Sequence, residues 1–269
     1  MTTASPALDT IARRSAASPG ANARSPALLA MVPCLFALLV DERTVNDISV
    51  WIKPIKFSAS FAVYYATLAW AFGYLPPEAR RSLAGTFVIR GSLAVGAYEM
   101  SWLLLAAANG VPSHFNDGSA FWAAAYALAG VGSVVLIAAI LVQGLMIARQ
   151  RSVPVAPALR WALVAGAVIA FGATLVTAGY LSTAGAHWVG GVASDAGGMP
   201  LVGWSRTGGD LRVAHFFALH AQQAIPALGL LAVTLRRPNA RAAIAAGAAA
   251  YVALIGFAFV QALRGVPVF

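Results

Sequence analysis

The sequence predicts an all-α, polytopic membrane protein with seven transmembrane helices, its N-terminus cytoplasmic and its C-terminus periplasmic. Three observations carry that expectation. Of 269 residues, 60% are hydrophobic and only 10% charged, whereas a soluble domain carries about 25% charged residues. The apolar residues gather in seven runs separated by short polar segments. The arginines alternate between basic and charge-balanced ends of those runs, the bias that keeps basic loops in the cytoplasm. The net charge of +9 therefore reads as membrane topology, with no nucleic-acid partner expected.

Residues 1–24 combine Ala, Ser, Pro, Thr and Arg without a periodic apolar face, the composition of a disordered cytoplasmic tail. Arg13-Arg14 has no apolar run directly behind it, so no signal-peptide removal is expected. Residues 25–269 read as a single seven-helix domain. The first run, 25–40, is short and carries Pro33; it either spans at a tilt or lies partly in the interface. The others cover about Phe57–Leu75, Leu83–Ala108, Ala120–Ala148, Trp161–Thr183, Leu211–Leu235 and Ala242–Leu263, each near the roughly 20 residues a spanning helix needs. With the N-terminus inside, 12 basic residues fall on inner segments and six on outer ends. The sole cysteine, Cys34, excludes an internal disulfide and a Cys-based zinc or iron–sulfur site, and reads as a small buried apolar residue.

The chemistry concentrates at the outer side. Lys53 and Lys56 lie on one helical face at a membrane boundary beside Trp51; they are either snorkelling anchors or an anion-capture pair. The second outer loop holds His114, Asn116 and Asp117, and the third, residues 184–210, is long, glycine-rich and includes His187, Asp195, Trp204 and Asp210. Long loops in compact proteins are often lids or binding elements. Asp210, just before the sixth span, is either a helix cap or a catalytic acid.

Within the spans, Glu99 lies about ten residues below the outer end of its helix, or ~15 Å at 1.5 Å per residue. A carboxyl group at that depth is either protonated and hydrogen-bonded or paired with a cation, and His220 is the expected companion at its level. On the sixth span, at about 100° per residue, His215, Gln222, Gln223 and His220 cover an arc of roughly 160°. That arc suits a helix lining a cavity and not two metal ligands on one face, which require i, i+4 spacing. The candidate residues are thus Glu99 and Asp210 as acid or base; His114, His215 and His220 as ligands to a zinc or iron ion or a haem b; and Lys53, Lys56, Asn116, Trp204, Arg212 and Gln222 as ligand-binding groups.

Three motifs, Trp51-x-Lys53-Pro54-x-Lys56-Phe57, Ser113-His114-Phe115-Asn116 and Gly209-Asp210-Leu211-Arg212-x-x-His215-Phe216, together resemble a group of uncharacterised bacterial integral membrane proteins over about residues 45–235. The resemblance implies a bacterial inner membrane and no particular activity. The ligand inventory is also similar to that of seven-span metal hydrolases of the alkaline-ceramidase type, although the histidine spacing departs from theirs. Three functions follow as expectations: a metal- or haem-dependent enzyme acting on a lipid-soluble small molecule; a proton-coupled carrier or channel; or a non-catalytic sensor or accessory subunit.

Overall fold

The structure, a computed structural model, describes residues 28–269; the tail of residues 1–24 lies outside the described residues. The protein is mostly helical. Five helices are long and apolar enough to cross a membrane. Around their perimeter large apolar side chains stand open, among them Val131, Val176, Leu231 and Phe257, each more than half exposed. Such a surface in water would be one large sticky patch; in hydrocarbon it is the expected exterior.

The chain opens with α1 (Met31–Val40), ten residues long and too short to span unaided. A two-residue hairpin follows, β1 (Thr44–Val45) against β2 (Ile48–Ser49). Its turn residues Asn46 and Asp47 both take positive φ, 54° and 65°, the conformation of a type I′ turn that Asn and Asp tolerate best. Arg43 forks onto Asp41 at 2.7 Å and reaches the Ala108 carbonyl at 2.9 Å, while the Trp51 indole N–H donates to the same aspartate at 2.8 Å. These bonds fasten the hairpin to the C-terminal end of the helix Leu83–Ala108.

Helix α2 (Ile52–Phe72) is 21 residues long but not among the five sufficiently apolar helices. It starts five residues before the expected Phe57 because its lysine-bearing first turn is helical and faces protein. Arg80, within the short α3 (Pro77–Arg81), closes the α2 end by donating to the carbonyls of Leu75 and Gly73. Helix α4 (Leu83–Ala108) starts on Ser82, whose hydroxyl accepts from the Gly85 N–H, and contains a π-turn at Phe87–Gly91. The remaining spans are α5 (Ala120–Arg149), capped by Ser119; α6 (Pro157–Thr183), with proline in its first turn; α7 (Leu211–Thr234); and α8 (Ala240–Leu263). Between α6 and α7, β3 (Trp188–Val189) pairs antiparallel with β4 (Gly209–Asp210).

Small residues set the helix spacing, as they do where no solvent drives apolar faces together. A Cβ at Gly144 would lie 2.6 Å from that of Ala167, and one at Gly166 would lie 2.8 Å from Pro226 Cδ. A Cβ at Gly229 would overlap that of Ala162. Helices α5, α6 and α7 therefore touch almost backbone to backbone. On the other side of α2, Gly96 makes room for Tyr65, whose hydroxyl donates to the Ser92 carbonyl at 3.0 Å. The apolar core runs from Phe61, Leu68 and Phe72 to Ile140 and Leu163, with a second cluster of Ala162, Ile225 and Ile244 between α6, α7 and α8.

Candidate functional site

The long loop of residues 184–210 folds over the helix ends and is held by one arginine. Asp210 caps α7 by accepting from the Arg212 N–H at 2.9 Å and takes a further bond from the Ser205 N–H at 2.9 Å. The Arg212 guanidinium pairs with Asp210 at 2.7 Å and with Asp195 at 2.8 Å, and donates to the Gly203 carbonyl at 2.7 Å. Asp195 also accepts from His187 Nε2 at 3.0 Å; a carboxylate can only accept, so Nε2 carries the proton. Burial alone would raise the Asp195 carboxyl, but the His187 hydrogen bond and the Arg212 charge outweigh it and hold the group below the usual carboxylate range. Two bonds join this latch to the first hairpin, Asp195 N–H to the Asn46 carbonyl at 3.0 Å and the Ser194 hydroxyl to Asp47 at 2.7 Å. Lys56 closes the far side by donating to the Val202 carbonyl at 2.9 Å.

Beneath the latch, four segments bring ionisable groups together. Lys53 of α2 lies within electrostatic reach of Glu99, Asp195, Arg212 and Lys56. His114 lies within reach of Lys53, His215 and His187. Lys53, His114 and His215 come from three different segments and each keeps part of its surface accessible, as side chains lining a cleft between segments do. Glu99 is 3% exposed and makes no hydrogen bond among the described residues; its Oε1 is buried without a partner, against Gly132 of α5. Buried polar atoms are nearly always hydrogen-bonded, as Asp195 and Asp210 are; among the buried acids of the described residues Glu99 is the exception.

The loop carrying His114 is built to hold that ring still. Phe115 adopts φ 56°, an uncommon conformation for a bulky residue. The Ser113 hydroxyl bonds His114 Nδ1 at 3.1 Å, and the Trp102 indole donates to the Ser113 carbonyl at 3.1 Å. Phe57 and Tyr126 pack around the imidazole at 6.2 and 5.3 Å between ring centroids. Burial first, and the Lys53 charge second, push His114 well below the ordinary histidine value. The ring is therefore neutral at pH 7 and can both accept and donate.

From the cleft a polar trail runs along α7 toward the middle of α2. His215 Nδ1 lies 3.5 Å from the Thr177 hydroxyl of α6 and within electrostatic reach of His220. His220 Nδ1 bonds Gln223 Oε1 at 3.2 Å, and Gln223 Nε2 donates to the Thr67 hydroxyl at 3.2 Å. Thr67 borders a cavity of about 20 Å³ shared with Gln143, Gln222 and Pro226, room for one water molecule. A separate apolar groove of about 390 Å³, lined by Tyr98, Trp102, Phe121 and Leu128, opens between α4 and α5.

These positions modify the sequence expectations. Glu99 is coupled to Lys53, and not to His220 as its depth suggested, because His220 turns toward Gln223 and α2. Among the described residues no group of three or more His, Cys, Asp and Glu side chains is placed to hold a metal ion. His114, His215 and His220 are instead each engaged by a neighbouring Ser, Thr or Gln. The donor set fits neither a zinc nor an iron centre. Asp210 is a cap and ion-pair partner. Asn116 is occupied in its own turn, donating to the Pro112 carbonyl at 2.8 Å and accepting from Gly118 at 3.2 Å. Trp204 is buried and stacked on Phe269 at 5.7 Å. Lys53 stands within electrostatic reach of Glu99, Arg212 is taken up by Asp195, Asp210 and the Gly203 carbonyl, and Gln222 borders the water-sized cavity. Sequence reasoning missed the Asp195–His187 pairing and the roles of Thr67 and Thr177, for which no spacing signal exists.

Fold and site together define a helical membrane protein with a polar cleft under an ion-paired loop. No family model matches the chain, and no curated protein or solved structure matches it either.

Proposed function

We propose that this is a multi-pass protein of the bacterial inner membrane, a single seven-span domain over residues 25–269 with N-terminus inside and C-terminus outside, and that it works as a proton-coupled carrier. The charge bias supports the orientation: the twelve basic residues assigned to the inner side leave the outer ends balanced. The three-motif resemblance supports a bacterial source.

The observation that carries the carrier reading is the polar trail. Ionisable groups within a membrane are costly and mark proton or substrate pathways. Here they form a succession from Lys53 and Glu99 past His114 and His215 to His220, Gln223, Thr67 and a water-sized cavity. Glu99 exchanges the proton, His114 and His215 relay it, and the Gln223–Thr67 pair conducts it inward. The apolar groove favours a second reading, an acid–base enzyme whose lipid-soluble substrate enters between α4 and α5, since Trp102 of its wall bonds the His114 loop.

Proteoliposomes with an enclosed pH-sensitive dye, bathed in a mixture of amino acids, sugars and small carboxylates, test the carrier. Wild-type protein dissipates an imposed pH gradient faster than protein-free liposomes, and Glu99→Gln and Gln223→Leu reduce the rate to that of the empty vesicles. Equal rates for wild type, variants and empty vesicles would remove the carrier reading.

A further inference from the structure

We propose that the cleft binds a small monocarboxylate, held between Lys53 and Glu99; its role as the carried solute rests on the carrier reading, whereas the binding itself does not. Lys53 makes no hydrogen bond or ion pair among the described residues, unlike Lys56, which donates to Val202, and Arg212, which is consumed by two aspartates and a carbonyl. Glu99, on the facing helix, is almost fully buried with Oε1 unpartnered. An unused ammonium and an unused carboxyl thus stand within electrostatic reach but not in contact. A ligand carboxylate engages both, one oxygen accepting from the Lys53 ammonium and the other from the O–H of protonated Glu99 at Oε2, since Oε1 is sealed against Gly132. Such charge-assisted bonds are the strong ones.

Charge balance selects a monoanion. Lys53, Lys56 and Arg212 face Asp195 and Asp210, so with Glu99 protonated the cluster carries one uncompensated positive charge. A monoanion neutralises it, a dianion overshoots, and a neutral amide forfeits the attraction. With Glu99 ionised the empty cluster is already neutral, so one proton arriving on Glu99 with each anion leaves its total charge unchanged. The charged and titratable groups facing Glu99 are Lys53 from α2 and Tyr98 from its own helix, and Gly132 of α5 packs against its Oε1; the carboxylate is the acceptor open to the proton. The Phe57 and Tyr126 rings flanking His114 supply an apolar wall for the rest of the molecule.

Calorimetry on the full chain in neutral phosphatidylcholine nanodiscs tests this with benzoate, its neutral analogue benzamide and the dianion malonate. Benzoate binds, and benzamide and malonate bind about tenfold or more weakly. Lys53→Gln weakens benzoate by a similar factor, Lys53→Arg retains most binding and controls for folding, and Arg206→Gln, on the exposed loop, has no effect. Benzamide binding as tightly as benzoate, or unchanged binding by Lys53→Gln, would overturn the proposal. So would loss of benzoate binding on exchange into phosphatidylglycerol, which would assign the site to a lipid headgroup. Absent binding with intact proton flux removes the anion proposal alone; intact binding without flux removes the carrier reading alone.

Discussion

Replacing Arg212 with leucine is expected to destabilise the protein by about 3–5 kcal/mol, the cost of removing one partner from a buried ion pair. Its side chain is 25% exposed, and those of Asp195 and Asp210 only 6% and 2%. The substitution would leave two carboxylates buried with no cation in contact, and would free the Gly203 carbonyl. The damage spreads because Asp195 also ties His187 and the first hairpin to the same point. Thermal unfolding in detergent measures the loss, and limited proteolysis of the outer loop locates it: cleavage between residues 184 and 210 should accelerate before the spans unfold. A variant as stable and as protease-resistant as wild type would show that the latch does not hold the loop.

The second large effect lies in the membrane half. Gly229→Val is expected to cost about 3 kcal/mol, the upper end of the overpacking range, because the added Cβ would occupy the space of the Ala162 methyl. Gly172→Val on the neighbouring helix is the matched control, since a Cβ there meets nothing within 4 Å and should be nearly neutral. Ala162→Gly combined with Gly229→Ala should recover much of the stability lost by Gly229→Ala alone, a coupling that independent sites do not show. Unfolding by denaturant in mixed micelles reads the four variants and the wild type on one scale.

The helical segments were largely legible in the sequence, for a physical reason. An apolar run long enough to span is also the run that becomes helix, so Leu83–Ala108 coincides with its expected bounds and the other long helices differ from theirs by a few residues. Helix α2 departs because apolarity finds where hydrocarbon begins. Lys53 and Lys56 extend the helix beyond that point into a protein-lined cleft. The site was half legible. Depth picked out Glu99 and loop clustering picked out His114, but depth cannot tell which of several groups at one level is the neighbour, and it chose His220 over Lys53. The latch left no trace: Asp195 and Arg212 meet because a glycine-rich loop turns back through the β3–β4 pair, and such a path has no period to read. The metal expectation failed because ligand type was counted without direction; the wide arc on α7 already pointed the histidines at different neighbours.

In the proposed orientation the cleft opens to the outer face and His215 lines it. Cys34 is buried and the sole cysteine, so a Cys34→Ser, His215→Cys double variant carries one informative thiol. Adding a membrane-impermeant thiol reagent to spheroplasts, and separately to inverted vesicles, measures its accessibility from each side. The account predicts rapid modification from the outer side and little from the inner. Modification only from the inner side, or from neither, would contradict it.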